Sequence, residues 1–151
     1  MSDLRELYQQ TILDHTRKPR NFREMPDANR AADGHNPLCG DKLKLFLKID
    51  DQGIIADISF VGSGCAISTA SASMMTEALR GRRVAEVAEL FAKFHDMVTR
   101  PLDEQQETEA LGKLAVFAGV REFPVRVKCA TLPWHALQAA IKKDHVPVST
   151  E

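Results

Sequence analysis

The chain has 151 residues, of which 44% are hydrophobic and 27% charged, a balance typical of one globular domain over 1–151. The 20 lysines and arginines nearly balance the 21 aspartates and glutamates, so no global charge favours nucleic acid or membrane as a partner. No apolar run approaches the length of a membrane span, and the charged start does not match a signal peptide. We therefore expect a cytoplasmic protein, whose reducing surroundings disfavour structural disulfides between its three cysteines.

One local charge imbalance stands out near the N-terminus. Four cations follow one another there without an acidic residue between them, and we call them the basic patch: Arg17, Lys18, Arg20 and Arg23. A solvated basic face is the simpler interpretation of such a run. The alternative is a docking patch for an acidic partner surface.

The hydrophobic pattern predicts a helix, an irregular segment and a β-hairpin in the first part of the chain. An amphipathic helix is expected over 2–16, ended by Pro19. The segment 17–38 is rich in Pro, Asn, Asp and Arg and is expected to be irregular. Apolar and polar residues alternate over 43–49 and again over 54–60, which predicts a hairpin with one covered face.

Helices are expected after the hairpin. A helix over 66–80 contains many alanines and serines, which indicates close packing against another element. Helical spacing recurs on either side of a polar stretch, 101–109, that we expect to be an exposed loop; the apolar positions are Val84, Val87, Ala88, Phe91 and Phe94, then Leu111, Leu114, Ala115 and Ala118. A last helix should begin near Pro133, since proline is tolerated in a first turn. The sum is an α+β fold in which a small antiparallel sheet packs against several helices.

The three cysteines lie at predicted element boundaries. Cys39 precedes the first strand, Cys65 lies between the second strand and a helix, and Cys129 precedes the last helix. Loops at such boundaries can converge on one point. No Cys-x-x-Cys pair is present, however, so a shared metal site and three unrelated thiols both stay open.

Local chemistry favours the metal site. The helix N-terminus after Cys65 would stabilise a thiolate, and Arg126 and Lys128 would do so near Cys129. Three thiolates gathered without a cation would repel one another, so a bound metal is the natural neutraliser. A tetrahedral ion needs a fourth ligand, and the carboxylate of Asp41 is a common one for zinc.

Other chemistries find less support in the sequence. The histidines form no metal-binding pair, although His35 stays an outside candidate for the fourth ligand. No Gly-x-Ser-x-Gly sequence indicates a serine hydrolase, and the glycines at 62–64 lack the pattern of a nucleotide-binding loop.

Several fragments, in order and over nearly the whole chain, resemble the SufU branch of the IscU-like iron–sulfur cluster assembly proteins, which are similar to the N-terminal domain of NifU. They are Leu7-Tyr8 with Ile12, Asp14 and His15, then Pro19-Arg20-Asn21, Asn36-Pro37-Leu38-Cys39-Gly40-Asp41, Gly62-Ser63-Gly64-Cys65-Ala66-Ile67-Ser68, and the runs 70–76 and 126–134. Lys128 stands where typical IscU scaffolds carry a histidine before the last cysteine. The long segment 82–122 also resembles the SufU branch.

The resemblance implies a zinc site of Cys39, Asp41, Cys65 and Cys129. It implies a zinc-dependent sulfurtransferase in which Cys39 accepts persulfide sulfur from a SufS-like cysteine desulfurase and Arg126 assists. Suf cluster-assembly scaffold proteins would be further partners. One alternative is a scaffold or carrier on which an iron–sulfur cluster is built on the same ligands. A purely structural zinc domain is less expected, because a chain of this length should fold on its own core.

Overall fold

The computed structural model describes residues 2–36, 40–100, 109–142 and 148–149. Its elements in chain order are α1 (Ser2–Arg17), β1 (Arg30–Asn36), β2 (Asp41–Ile49), β3 (Ile55–Ser63), α2 (Ala66–Leu79), α3 (Val84–Thr99), a 3₁₀ helix (Glu109–Glu122), α4 (Pro124–Lys142) and β4 (Val148–Ser149). The sheet order is β3-β2-β1-β4, with helices packed against it. The predicted α+β class is confirmed.

The predicted hairpin is confirmed as β2 and β3, which pair in antiparallel fashion. Along β2 the leucines are buried and the lysines exposed, which is the period of two expected for a strand with one covered face: Leu43, Leu45 and Leu47 against Lys42, Lys44 and Lys48. β1 pairs antiparallel with the other edge of β2, and the short β4 runs parallel to β1.

The expectation of an irregular segment over 17–38 is wrong for Arg30–Asn36, which forms β1. The inward positions of this strand are occupied by small or polar residues: Ala32, Gly34 and Asn36. A Cβ atom at Gly34 would lie 3.2 Å from Cδ1 of Leu132 and 3.4 Å from Cβ of Ala136, so α4 rests directly on the strand. This close approach, rather than strand propensity, explains β1, since packing context commonly overrides propensity in sheets.

The small residues of α2 pack closely, as the sequence predicts. The Ser71 hydroxyl donates to the carbonyl of Ala130 on α4 at 2.5 Å. On the opposite side, the buried His15 of α1 has its Nδ1 2.7 Å from Oγ of Ser73. Burial lowers the pKa of His15, and the cation of Arg20 acts in the same direction. His15 therefore links α1 to α2 through its contact with Ser73.

The segment Glu109–Glu122 is helical but winds more tightly than its predicted spacing implies. Its buried residues recur every three positions, at Leu111, Leu114, Phe117 and Val120. A period of three matches a 3₁₀ helix, whereas Ala115 and Ala118 of the predicted face are only partly buried. The backbone of Gly112 has φ 53°, which marks a kink near the start. Most of the predicted loop, residues 101–108, lies outside the described residues.

The start of the last helix was predicted too late in the chain. α4 begins at Pro124, so Pro133 lies in its interior and Cys129 lies within the helix rather than before it. Pro133 cannot donate the usual hydrogen bond to the carbonyl four residues earlier. Side-chain packing stabilises the helix around this proline, since the neighbouring Trp134 is fully buried and stacks on Phe94 with ring centroids 4.8 Å apart.

The basic patch is partly neutralised by neighbouring acids. Arg20 pairs with Asp14 and Arg23 pairs with Asp57, each at 2.6 Å. These contacts fit a solvated face better than an open cationic surface. Across the described ranges, no helix combines the length and the apolar character needed to cross a membrane.

Candidate metal centre

Three elements bring metal-binding side chains together at one end of the sheet. Asp41 begins β2, Cys65 lies between β3 and α2, and Cys129 lies in α4. One carboxylate oxygen and the two sulfur atoms all lie within 4.8 Å of one another. Two thiols and a carboxylate are donors that suit zinc, and thiols also suit iron–sulfur clusters. These three side chains, which we call the Asp–Cys cluster, could therefore hold a metal ion.

The orientation of Asp41 is determined by the backbone of Cys65. The residue is buried, with 1% of its surface exposed. Its Oδ1 accepts the backbone N–H of Cys65 at 2.6 Å, while its Oδ2 lies 3.7 Å from the sulfur of the same cysteine. Because Oδ1 already has a donor, Oδ2 is the oxygen left to face a metal. Asp41 is thus arranged as a ligand through one oxygen.

Gly64 makes room for that carboxylate. A Cβ atom at this position would overlap Oδ1 of Asp41 and lie 3.0 Å from its Cα. The glycine is needed for this close approach between β2 and the residue before Cys65, rather than for an unusual backbone angle.

Replacing Gly64 with alanine should therefore weaken binding of a divalent metal such as Co²⁺ by about 10-fold or more, the scale of outer-shell changes at metal sites. The added methyl group would displace the Asp41 carboxylate and lengthen its bond to the Cys65 N–H. Competition with a chromogenic chelator measures the affinity. Ser63→Ala changes an exposed neighbour and should behave like the wild type. Equal affinities for Gly64→Ala and the wild type would contradict this prediction.

Cys65 lies at the N-cap of α2, as its position in the sequence predicts. Its sulfur accepts the backbone N–H of Ser68 at 3.5 Å. A hydrogen bond from Cys129 and this N–H lower the pKa of the Cys65 thiol to about 6, although burial and the Asp41 carboxylate act to raise it. The thiolate, which is the form that binds metals, is thus favoured near neutral pH.

Cys129 reaches the cluster from inside α4 and is 1% exposed. The side-chain nitrogen Nδ2 of Asn36 lies 3.6 Å from its sulfur. Arg126, one turn earlier, is exposed, and its guanidinium carbon lies 4.3 Å from the centre of the Phe123 ring. The proposed assistance of Arg126 in catalysis, and that of Lys128 to the Cys129 thiolate, stay predictions.

The other two ligand candidates have different outcomes. Cys39 lies outside the described residues, and its place at the centre stays a prediction. Within the described part of the chain, the cluster contains Asp41 and does not contain His35. His35 lies on β1 beside the inward-facing Asn36, and neighbouring strand residues point to opposite faces.

The donor set fits a cation on physical grounds. Two thiols and an acid packed together at low exposure would repel one another when ionised. A metal ion neutralises such a group, and Asn36 and Ser68 supply N–H donors to the sulfurs from outside. Sequence reasoning assigned no role to Asn36 or Gly64. No local signal points to Asn36, because β1 has no apolar period in the sequence and Cys129 lies 93 positions away.

The fold and this cluster define a small α+β protein with a cysteine–aspartate centre at one end of its sheet. The family model of the NifU-like N terminal domain matches residues 7–130, and the chain belongs to that family. The predicted resemblance to IscU-like assembly proteins is thereby confirmed.

Two curated relatives cover almost the whole chain. The zinc-dependent sulfurtransferase SufU of Bacillus subtilis (strain 168) is 40% identical over 143 residues, which is 95% of each protein. The iron–sulfur cluster assembly scaffold protein IscU of Streptococcus pyogenes serotype M1 is 41% identical over 143 residues, 95% of this chain and 87% of the relative. A crystal structure of a candidate iron–sulfur cluster assembly scaffold protein for the SUF system, from Fervidobacterium islandicum AW-1, aligns with a TM-score of 0.81 at 32% identity, over 90% of this chain and 97% of that one.

Proposed function

We propose that this chain serves iron–sulfur cluster biogenesis in the cytoplasm as a zinc-dependent sulfurtransferase. It accepts sulfur from a SufS-like cysteine desulfurase and passes it on, with cluster-assembly scaffold proteins as candidate acceptors. The observation that carries the proposal is the convergence of Asp41, Cys65 and Cys129 within 4.8 Å. The similarity to a zinc-dependent sulfurtransferase over 95% of both chains supports it.

The proposed centre consists of Cys39, Asp41, Cys65 and Cys129. Cys39 precedes Asp41 by two residues, and covalent geometry limits the separation of their Cα atoms to about 7 Å. This short tether supports Cys39 as the fourth ligand. A bound Zn²⁺ would keep the thiolates unprotonated and inert to oxidation until they are used.

Cys39 is the proposed sulfur acceptor. Its thiolate attacks the outer sulfur of a persulfide on the desulfurase, forming a new S–S bond on Cys39 while the S–S bond on the donor breaks. The donor cysteine leaves as a thiolate, and the proton of the persulfide stays on the transferred sulfur. Charge and atoms balance, and no oxidant or reductant is required.

The surroundings of the other two cysteines support this choice. Cys65 caps α2 and is fixed by Ser68, whereas Cys129 is buried within α4. We expect a partner protein to reach the sulfur of Cys39 more easily than either of these two sulfurs, because Pro-Leu-Cys-Gly is a sequence typical of a turn. Arg126 is exposed in the first turn of α4, and its positive charge would favour the thiolate forms of the reacting cysteines at this end of the molecule.

A scaffold on which an iron–sulfur cluster is assembled is the second candidate function. The similarity to a protein named as an IscU scaffold, 41% identical, favours it, and cysteine thiolates are the usual cluster ligands. Lys128 argues against it, because a protonated lysine cannot replace the histidine that typical IscU scaffolds carry at this position.

Metal analysis of the purified protein, expressed without added metal, separates the two functions. We expect one equivalent of zinc per chain and a colourless solution, since Zn²⁺ has a filled d shell. Bound iron with acid-labile sulfide and visible absorption would favour the scaffold instead. Protein that holds no metal even after incubation with Zn²⁺ would contradict the zinc centre.

A further inference from the structure

Asn36 is a buried polar residue that touches the centre without being one of its proposed ligands. It ends β1, pairs in register with Asp41 and has 0% of its surface exposed. Its Nδ2 lies 3.6 Å from the sulfur of Cys129, a contact between residues 93 positions apart. Its Oδ1 is buried and has no hydrogen-bond partner among the residues that the structure describes.

The packing of β1 against α4 brings these two residues together. Gly34 lies against Leu132, and Asn36 is the next inward-facing residue along the strand. Two strand residues advance the chain by about 6.6 Å, which is comparable with the rise of about 5.4 Å for one helical turn. One turn before Leu132 on α4 is Cys129. The contact between Asn36 and Cys129 thus follows from the register that Gly34 permits.

The chemistry of sulfur fixes which end of the amide faces Cys129. As a metal ligand Cys129 is a thiolate, which only accepts hydrogen bonds, so the NH₂ group is favoured next to it and the carbonyl oxygen is repelled. In this orientation Oδ1 stays buried without a donor from the described part of the chain, which costs free energy. The amide thus places its N–H group against the sulfur, while its oxygen finds no donor within the described ranges, which indicates that the sulfur contact is the favoured one.

We propose that Asn36 is a positioning residue of the metal centre, which holds the sulfur of Cys129 in place and withdraws electron density from it through an N–H···S hydrogen bond. Cys129 then remains a fixed ligand while sulfur is transferred elsewhere in the centre. The inference rests on the proposed function, because it assigns Cys129 a part in that same centre. Cys65 has a parallel arrangement, with the Ser68 N–H at 3.5 Å from its sulfur.

Two substitutions test the hydrogen bond. Asn36→Leu keeps a branched side chain, removes the donor and also removes the unsatisfied oxygen, so it should not lower stability through polar burial. Asn36→Ala removes the donor with less volume, in case leucine does not fit. Ser59→Ala is the matched control, because Ser59 is fully buried on β3 and its hydroxyl also finds no partner among the described residues. Ser59 lies six residues from Cys65 and outside the cluster.

The readouts are the charge-transfer band of the Co²⁺-loaded proteins and their Zn²⁺ affinity by chelator competition. An N–H···S bond lowers the energy of the sulfur donor orbitals, so its loss should shift the sulfur-to-cobalt band to longer wavelength. Both Asn36 variants should also bind Zn²⁺ about 10- to 100-fold more weakly, as is usual when an outer-shell partner is lost. Ser59→Ala should match the wild type in both measurements.

An Asn36 side chain that merely fills space predicts a different result. Thermal stability would then change in Asn36→Ala, while the band and the affinity of Asn36→Leu would match the wild type, and this outcome overturns the inference alone. Wild-type protein that binds neither Zn²⁺ nor Co²⁺ overturns the inference together with the proposed function. The two failures are therefore distinguishable in one set of titrations.

Discussion

Replacing Cys39 with alanine should abolish the stimulation of a partner cysteine desulfurase while the folded chain still binds that enzyme. Cys39 supplies the proposed attacking thiolate, and alanine has no sulfur to accept the persulfide. Side chains of the sheet and the helices form the core that the structure describes, so we expect the fold to survive. Docking is expected to rest on surfaces beyond this one sulfur, so binding and transfer should separate.

The measurement is sulfide release from cysteine by the desulfurase with increasing amounts of the variant, beside a binding titration. Mass spectrometry of wild-type protein after reaction should show one added sulfur atom on the peptide that contains Cys39. Cys65→Ala and Cys129→Ala are the comparison variants, since each removes a proposed ligand without removing the acceptor. Undiminished stimulation by Cys39→Ala would exclude Cys39 and point to Cys65 or Cys129.

Replacing Asp41 with alanine should cause the second large effect, a loss of zinc retention without loss of the fold. The substitution removes a proposed ligand and leaves the buried N–H of Cys65 without its acceptor. We therefore expect the Zn²⁺ affinity to fall by more than the roughly 100-fold upper range of outer-shell changes. Asp41→Asn is the matched control for position, because its amide oxygen can still accept the Cys65 N–H while the charge is lost.

The fold should persist because its hydrophobic core does not depend on the metal centre. The largest fully buried side chains include Trp134, Phe94 and Phe117, which pack against one another between α3, α4 and the 3₁₀ helix. Far-UV circular dichroism of Asp41→Ala and of chelated wild-type protein checks this expectation. Wholesale loss of helix in both samples would instead indicate a structural zinc module, in which metal binding supplies the folding free energy.

The sequence predicted the elements whose buried faces follow a regular hydrophobic period along the chain. The leucines of β2 alternate with lysines, and the apolar positions Val87, Phe91 and Phe94 of α3 follow a helical period. A period of two or 3.6 needs no knowledge of the packing partner, which is why these elements could be assigned from a few neighbouring residues. The place of Cys65 at the start of a helix was predictable because Gly62-Ser63-Gly64 breaks the strand before it and small, helix-compatible residues follow.

Tertiary contacts decided what has no local period. β1 carries small and polar residues on its inward face, and it is a strand because α4 packs on Gly34. α4 continues through Pro133 because buried aromatic packing around Trp134 holds the helix together despite the missing hydrogen bond. Both misassigned elements converge on Cys129, whose position in the fold was therefore the least predictable.

The sequence by itself determined which residues could form a metal centre, namely the cysteines and Asp41. It also determined the family that its motifs resemble. Only the tertiary structure decided how Asp41 is held by the Cys65 N–H, why Gly64 must lack a side chain, and that Asn36 faces Cys129. Ligand chemistry is a property of single residues and can be read along the chain. Ligand orientation depends on contacts between distant segments, which form only when the sheet and α4 pack together.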